Sequence, residues 1–249
     1  MKTIILAGGL GTRLEEITKI IPKPMIKVKR KPIILYVMHS FIKFGHCEFI
    51  VALGYKGEKI VEFFLKRKIT KEIKKELKVG FKIKSKIFGK ECSLTFLDTG
   101  QNTMTGGRLK RASKLIKDEF FFMTYGDGIG NVNLTKLKKF HYKNKKLVTV
   151  TAVNPPARFG EIIFKNNNVT KFSEKKAIKS SWINGGFFII NKKFIKFIKN
   201  DQTILERFPL EYVAKKKQLA AYKHSSIWQC IDTKRDISYI QAVLPKLLK

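Results

Sequence analysis

The first apolar segment of the chain leads directly into a glycine-rich loop, which reads LAGGLGTRL over residues 6–14. Glycines allow backbone N–H groups to turn toward a ligand and let that ligand approach the main chain closely. Successive N–H groups can form a nest for anionic oxygens, and Arg13 adds a forked cation that suits phosphate. The loop therefore predicts a binding site for a phosphorylated ligand.

Two other phosphate-binding loops do not fit this segment. A Walker loop requires Gly-Lys-Ser/Thr after four intervening residues, and that tripeptide is absent. A dinucleotide-binding fingerprint requires a third glycine where Leu14 stands, and an acidic residue about 20 positions further on. The chain has Lys29-Arg30-Lys31 there, so the loop is of a different kind.

A lysine held between two prolines follows the loop, at Pro22-Lys23-Pro24. The prolines fix the backbone on either side, and a compact ammonium suits an α-phosphate that gains charge during transfer. Together, the glycine loop and this Pro-Lys-Pro segment resemble the signature of the nucleotide-diphosphate-sugar pyrophosphorylases, the sugar nucleotidyltransferases. The resemblance implies Mg²⁺-assisted nucleotidyl transfer to a sugar 1-phosphate.

Further segments resemble the glucose-1-phosphate cytidylyltransferase branch of that family, in the same order and from residue 1 to about residue 239. This branch transfers a cytidylyl group from CTP to α-D-glucose 1-phosphate and gives CDP-glucose and pyrophosphate. Uridylyl- and thymidylyltransferases acting on a hexose 1-phosphate are the alternative, and a non-catalytic basic nucleic-acid-binding module is a remote one. The segments are TGGRLKR at 105–111, YGDG at 125–128, RFG at 158–160, INGGFF at 183–188 and WQCIDT at 228–233.

The resemblance also implies individual roles. It assigns catalysis to Arg13, Lys23 and Asp127, and the divalent ion to Asp127 and Asp232. The residues implied in nucleotide binding are Leu6, Ala7, Gly8, Gly9, Leu10, Gly11, Thr12, Arg13, Lys23, Thr103, Arg108 and Gly126. Those implied in sugar-phosphate binding are Glu174, Lys175, Asn184 and Gly185.

The two aspartates also have a physical argument in their favour. Asp127 ends an apolar strand-like segment, and the carboxyl ends of strands in open α/β sheets face the ligand crevice. Mg²⁺ is a hard ion that binds one or two carboxylates together with phosphate oxygens and water. Asp232 stands directly before Thr233 and a helical segment, so capping that helix is its alternative role.

Apolar strand-like segments alternate with amphipathic helical ones, which predicts an α/β protein with a mostly parallel sheet and helices on both faces. The resemblance implies the Rossmann-like mixed sheet of nucleotide-diphospho-sugar transferases. We expect one domain over residues 1–249, a lysine-rich peripheral insertion at 69–90, and an antiparallel hairpin that begins at Pro155-Pro156 and turns at 166–168. The predicted strands are 3–7, 48–53, 94–97, 120–125, 147–153 and 185–190, the predicted helices are 32–44 and 58–68, and 203–249 is predicted as helix, strand and helix.

Composition limits the remaining possibilities. The three cysteines are far apart and predict neither a disulfide framework nor a zinc site. The formal net charge is +33, but the lysines are spread along the whole chain rather than gathered in one stripe, which favours a solvated basic surface over a nucleic-acid interface. No apolar segment is long enough for a membrane span. We expect a cytoplasmic homo-oligomer without nucleic-acid or membrane partners.

Overall fold

A sheet of eight strands forms the centre of the protein. The computed structural model describes residues 1–154, 161–173 and 181–248. The strands are β1 (Thr3–Ala7), β2 (Lys27–Val28), β3 (Lys31–Pro32), β4 (Glu48–Leu53), β5 (Phe81–Ile87), β6 (Lys90–Asp98), β7 (Phe120–Tyr125), β8 (Gly128–Gly130), β9 (Val148–Val153), β10 (Glu161–Lys165), β11 (Asn168–Ser173), β12 (Ile183–Asn191), β13 (Leu219–His224) and β14 (Trp228–Cys230). The strand order in the central sheet is β13-β9-β12-β7-β1-β4-β6-β5, and adjacent strands are parallel except at β12 and β5.

Helices cover both faces of this sheet, as predicted. In β1, Ile5 belongs to one buried cluster and Ile4 to the other, because successive side chains of a strand point to opposite faces. Helices α2, α3, α6 and α8 contribute to the first cluster, and α5 and α7 to the second. The helices are α1 (Glu15–Thr18), α2 (Ile33–Ile42), α3 (Gly57–Leu65), α4 (Lys71–Glu76), α5 (Thr105–Ser113), α6 (Leu134–Asn144), α7 (Phe208–Lys215) and α8 (Lys234–Leu248).

The segment predicted as a peripheral insertion, residues 69–90, extends the sheet. It contains α4 and β5, and β5 pairs with β6 as the antiparallel edge strand. Lysines alternate with partly buried side chains along β5, as in Lys82-Ile83-Lys84. Exposed lysines are typical of edge strands, where charge prevents pairing with another chain.

The predicted elements agree with the structure apart from their ends and a few additions. Helix α3 ends earlier than predicted, because Lys66 adopts a left-handed conformation with φ 55°. The C-terminal third contains a second strand, β14, which pairs with β8 rather than with the central sheet. β10 and β11 form the predicted antiparallel hairpin, whereas Pro155-Pro156 lie outside the described residues. Within the described residues, no helix combines the length and the apolarity needed to cross a membrane.

Candidate nucleotide-binding and metal site

A cavity of about 970 Å³ opens at the carboxyl ends of β1 and β7. β12 runs the other way, so its first residues reach the same edge of the sheet. This arrangement brings together most of the residues that the sequence predicted. Those that line the cavity are Leu6, Ala7, Gly8, Gly9, Leu10, Gly11, Thr12, Arg13, Lys23, Thr103, Arg108, Gly126, Asp127, Asn184 and Gly185.

The glycine loop forms one wall of this cavity. Gly11 adopts a left-handed conformation with φ 69°, and a side chain there would lie 2.8 Å from the Cγ2 atom of Thr18. The Thr18 hydroxyl donates to the carbonyl oxygens of Gly11 and Leu14 and so holds the end of the loop. Nothing lies within 4 Å of the position that a Cβ of Gly9 would take. The loop therefore leaves its main chain open to the cavity.

Lys23 lies at the centre of the charged groups in the cavity. Its side chain is 11% exposed, and its Nζ atom lies 2.5 Å from Asp127 Oδ2 and 2.7 Å from Asp232 Oδ1. Pro22 has an extended conformation, and Lys23 begins a single 3-10 turn, Lys23–Met25, which fixes its backbone. Burial alone would lower the pKa of Lys23, but the charge of Asp127 and the hydrogen bonds to both aspartates outweigh burial and raise it. The ammonium group is therefore held charged.

Asp127 and Asp232 are brought together by the short ladder between β8 and β14. Asp127 directly precedes β8, and Asp232 follows β14 by two residues. The backbone N–H of Ile231 donates to the Asp127 carbonyl at 3.0 Å, which joins the two segments. Two acids that are 105 positions apart in the sequence thus share one ammonium group, Lys23 Nζ.

The helix-capping role considered for Asp232 belongs to its neighbours. The Thr233 hydroxyl accepts from the backbone N–H of Asp236, and the Asp236 carboxylate accepts from the backbone N–H groups of Asp232 and Thr233. This reciprocal pair satisfies the first turn of α8. Because Asp236 does so, the Asp232 carboxylate is free to face Lys23 and Arg13, whose Nη1 lies 2.7 Å from Asp232 Oδ2. Burial opposes ionisation of Asp232, but Lys23 and Arg13 outweigh it and lower the pKa.

The donor atoms around these acids fit a divalent cation. One oxygen from each of Asp127 and Asp232 and the sulfur of Cys230 all lie within 4.8 Å of one another. Two carboxylates are the hard donors that Mg²⁺ prefers, and the ammonium of Lys23 already bridges them as a cation would. Burial, supported by the charge of Asp127, raises the pKa of the Cys230 thiol.

Arg108 borders the cavity, but its guanidinium group bonds to protein oxygens. The side chain is buried, and burial lowers its pKa. The guanidinium group reaches across the carboxyl ends of β1, β4 and β6 and links the glycine loop by hydrogen bonds to the ends of β4 and β6. It donates to the carbonyl oxygens of Gly8, Leu53, Gly100 and Gln101 and to the Thr99 hydroxyl, at 2.6–3.1 Å.

A second polar group in the cavity was not predicted from the sequence. The Tyr125 hydroxyl lies 2.5 Å from Glu206 Oε1, and the Thr105 hydroxyl lies 2.7 Å from Glu206 Oε2. Asn184, which was predicted to contact the sugar, donates to the same tyrosine oxygen at 3.3 Å. Burial, with the charge of Glu206, raises the pKa of Tyr125 well above its usual value. Glu174 and Lys175, the other two predicted sugar contacts, lie outside the described residues.

Comparison with known proteins places this sequence in a family. The profile of the nucleotidyl transferase family matches residues 2–243. This chain belongs to the nucleotidyl transferase family. It is 39% identical over 253 aligned positions to glucose-1-phosphate cytidylyltransferase of Salmonella typhimurium, with 99% of this chain and 96% of that protein covered.

A second relative and a solved structure are also similar to this chain. The "probable glucose-1-phosphate cytidylyltransferase" of Bacillus subtilis is 38% identical, with 95% of this chain and 93% of that protein covered. Among solved structures, HddC from Yersinia pseudotuberculosis superposes with a TM-score of 0.72 at 23% identity, covering 98% of this chain and 99% of that chain. The last similarity concerns the fold of this nucleotidyl transferase.

Proposed function

We propose that this nucleotidyl transferase makes CDP-glucose and pyrophosphate from CTP and α-D-glucose 1-phosphate. The observation that carries the proposal is the position of Lys23, which bridges Asp127 and Asp232 beside an open glycine loop. A triphosphate needs backbone N–H donors, a cation at the α-phosphate and carboxylates for a metal ion. The glycine loop, Lys23 and Asp127 line one cavity, and Asp232 joins them through its contact with Lys23. The identity to cytidylyltransferases over nearly the whole chain supports CTP and glucose 1-phosphate as substrates.

The reaction is a direct displacement that needs no covalent intermediate on the protein. An oxygen of the sugar phosphate attacks the α-phosphorus, and the bond from that phosphorus to the bridging oxygen breaks so that pyrophosphate leaves. Positioning and charge neutralisation account for most of the acceleration in such transfers. The glycine loop binds phosphate oxygens, Arg13 supplies an exposed cation, and Lys23 turns from the carboxylates toward the α-phosphate.

Asp127 and Asp232 would hold Mg²⁺. When bound, the ion neutralises charge on the reacting phosphates. A phosphate oxygen would offer Lys23 an alternative partner, which would leave the carboxylates of Asp127 and Asp232 free to hold the ion. This exchange keeps charges paired in a half-buried site both before and after substrate binds.

The part of the cavity that Asn184 and Gly185 line suits the sugar. Both residues lie near the start of β12, and the Trp228 indole donates to the Gly185 carbonyl at 2.7 Å. Glu206 and Tyr125 add hydrogen-bonding groups close to Asn184. Hydroxyl groups of a hexose fit these acceptors and donors, whereas the negative charge of Glu206 disfavours phosphate groups close to it. The sequence-based expectation of a cytoplasmic homo-oligomer remains part of this proposal, and the resemblance to the cytidylyltransferase branch also implies a role in polysaccharide biosynthesis.

Pyrophosphate release tests the proposal when the purified protein receives Mg²⁺, glucose 1-phosphate and each of CTP, UTP, dTTP and GTP in turn. We expect CTP to give a kcat/KM about 100-fold above the others, the discrimination that a site reading base hydrogen bonds reaches readily. Galactose 1-phosphate and mannose 1-phosphate serve as acceptor controls. A best rate with UTP or dTTP would reassign the base, whereas no release with any nucleotide would reject nucleotidyl transfer altogether.

A further inference from the structure

Cys230 places a thiol beside the two carboxylates that would hold Mg²⁺. It is the last residue of β14, where it pairs with Gly128, and it lines the cavity. Its sulfur lies within 4.8 Å of an oxygen of Asp127 and of an oxygen of Asp232. The nucleotidyl transfer proposed above makes no use of the Cys230 thiol.

The chemistry of a carboxylate–thiol–carboxylate set differs from that of carboxylates alone. Mg²⁺ binds oxygen donors, whereas Zn²⁺, Cd²⁺ and Co²⁺ also accept thiolate sulfur. A tetrahedral ion with metal–donor bonds of about 2.0–2.3 Å holds its donors about 3.3–3.8 Å apart. The three atoms lie within 4.8 Å of one another, so side-chain rotations that bring them at most about 1–1.5 Å closer would place all of them on one ion.

We propose that Asp127, Cys230 and Asp232 form a three-donor site for a thiophilic divalent cation of the zinc class, which competes with Mg²⁺ for the same two carboxylates. On binding, the Cys230 S–H bond breaks, the proton goes to solvent and the thiolate electron pair binds the ion. The competition with Mg²⁺ rests on the proposed function, but the binding of the zinc-class ion does not. The site makes nucleotidyl transfer sensitive to inhibition by zinc.

Lys23 sets the affinity of this site in the absence of nucleotide. Its ammonium group occupies the same two carboxylates, at 2.5 Å and 2.7 Å, so an incoming ion must displace it. Lys23→Leu removes the competing charge and adds no further sulfur donor beside the site. The variant should therefore bind Zn²⁺ more tightly than the wild type.

The experiment uses the full chain, freed of metal with a chelator and without nucleotide or sugar phosphate. Co²⁺ is titrated while thiolate-to-metal charge-transfer absorption is recorded, and Zn²⁺ affinity is measured by calorimetry. The variants are Cys230→Ser, which replaces only the sulfur, and Cys47→Ser as the matched control, since Cys47 lies outside the cavity. Circular dichroism establishes that each variant is folded.

We expect the charge-transfer band in the wild type and in Cys47→Ser, and no band in Cys230→Ser. We expect Cys230→Ser to lower Zn²⁺ affinity by at least about tenfold, since even partners outside the coordination sphere contribute that much. Equal Zn²⁺ affinity in Cys230→Ser and wild type would overturn the proposal, as would weaker Zn²⁺ binding in Lys23→Leu. Because no substrate is present, these results are independent of the nucleotide panel, and either proposal can fail while the other holds.

Discussion

Arg108 offers a way to separate a positioning role from direct contact with the nucleotide. The sequence placed it among the nucleotide-binding residues, whereas the structure shows its guanidinium group donating to five protein oxygens, including the Gly8 carbonyl in the glycine loop. We therefore expect Arg108 to hold the loop in shape, and we propose Arg108→Lys as the perturbation. A lysine keeps the charge but has three donors rather than five.

The magnitude follows from the hydrogen bonds that are lost. At least two of the five acceptors lose their partner in Arg108→Lys, and a hydrogen bond to a charged group contributes about 1.5 kcal/mol at the lower end. The expected loss is about 3 kcal/mol of unfolding free energy. For a chain of this size, that corresponds to a fall of about 6–12 °C in Tm.

The assay measures Tm by differential scanning calorimetry and CTP binding by calorimetry on the same samples. Gly54→Ala provides an independent perturbation of the same group, because its Cβ would lie 2.3 Å from Arg108 Nη1 and would displace the guanidinium. Arg111→Lys is the matched control, since Arg111 is on the same helix but forms a partly exposed ion pair with Asp201, and such pairs contribute about 1 kcal/mol or less. We expect both Arg108→Lys and Gly54→Ala to lower Tm and to weaken CTP binding together.

A different pattern would refute this reasoning. If Arg108→Lys weakened CTP binding while its Tm stayed within about 2 °C of the wild type, a shift of at most about 1 kcal/mol, the guanidinium would act on the nucleotide and not on the loop. Unchanged Tm and CTP affinity would mean that the five hydrogen bonds do not hold the loop.

Two further predictions concern the charged groups of the cavity. Lys23 and Arg13 lower the pKa of Asp232 by more than burial raises it, so the stability that Asp232 contributes should be complete above the ordinary pKa of 3.8 and lost as the pH falls through the lower pKa of the folded state. Urea unfolding of wild type and Asp232→Asn across pH 2–7, roughly the range in which carboxylates titrate, measures this contribution. Identical pH profiles of the two proteins would contradict the prediction. Glu206→Gln should raise KM for glucose 1-phosphate about tenfold, equivalent to about 1.4 kcal/mol, with little change in KM for CTP, because the charged acceptor of Tyr125 and Thr105 becomes a neutral amide. Initial rates at varied concentrations of each substrate measure both constants. A change confined to the KM for CTP would mean that the sugar binds elsewhere.

The sequence could locate those residues of the site that belong to a short local motif. The glycine loop follows a fully buried strand, and Lys23 is fixed by its own neighbouring prolines, so short-range rules suffice for both. Asp127 could be placed because it follows a recognisable apolar strand. The convergence of Asp127 with Asp232 came from the family resemblance, since the β8–β14 ladder that joins them has only three residue pairs.

Other features had no signal in a single sequence. Glu206 reaches Tyr125 across 81 positions, and no spacing rule links a glutamate after a turn to a tyrosine at the end of a strand. Arg108 bonds mainly to backbone carbonyl oxygens, which every residue carries, so its partners leave no pattern of residue types. β5 was predicted as part of an insertion because its alternating lysines are equally typical of an exposed segment, and only pairing with β6 distinguishes an edge strand.

The most direct test of the proposed catalytic centre is the rate of CDP-glucose formation by Asp127→Asn at saturating CTP, glucose 1-phosphate and Mg²⁺. The substitution keeps the shape of the side chain and removes the charge that faces Lys23. We expect kcat to fall by about 10²–10³, the usual effect of removing one well-placed electrostatic group, while circular dichroism stays unchanged. A rate within about threefold of the wild type, less than 1 kcal/mol in the barrier, would show that the acids bridged by Lys23 are not where the transfer takes place.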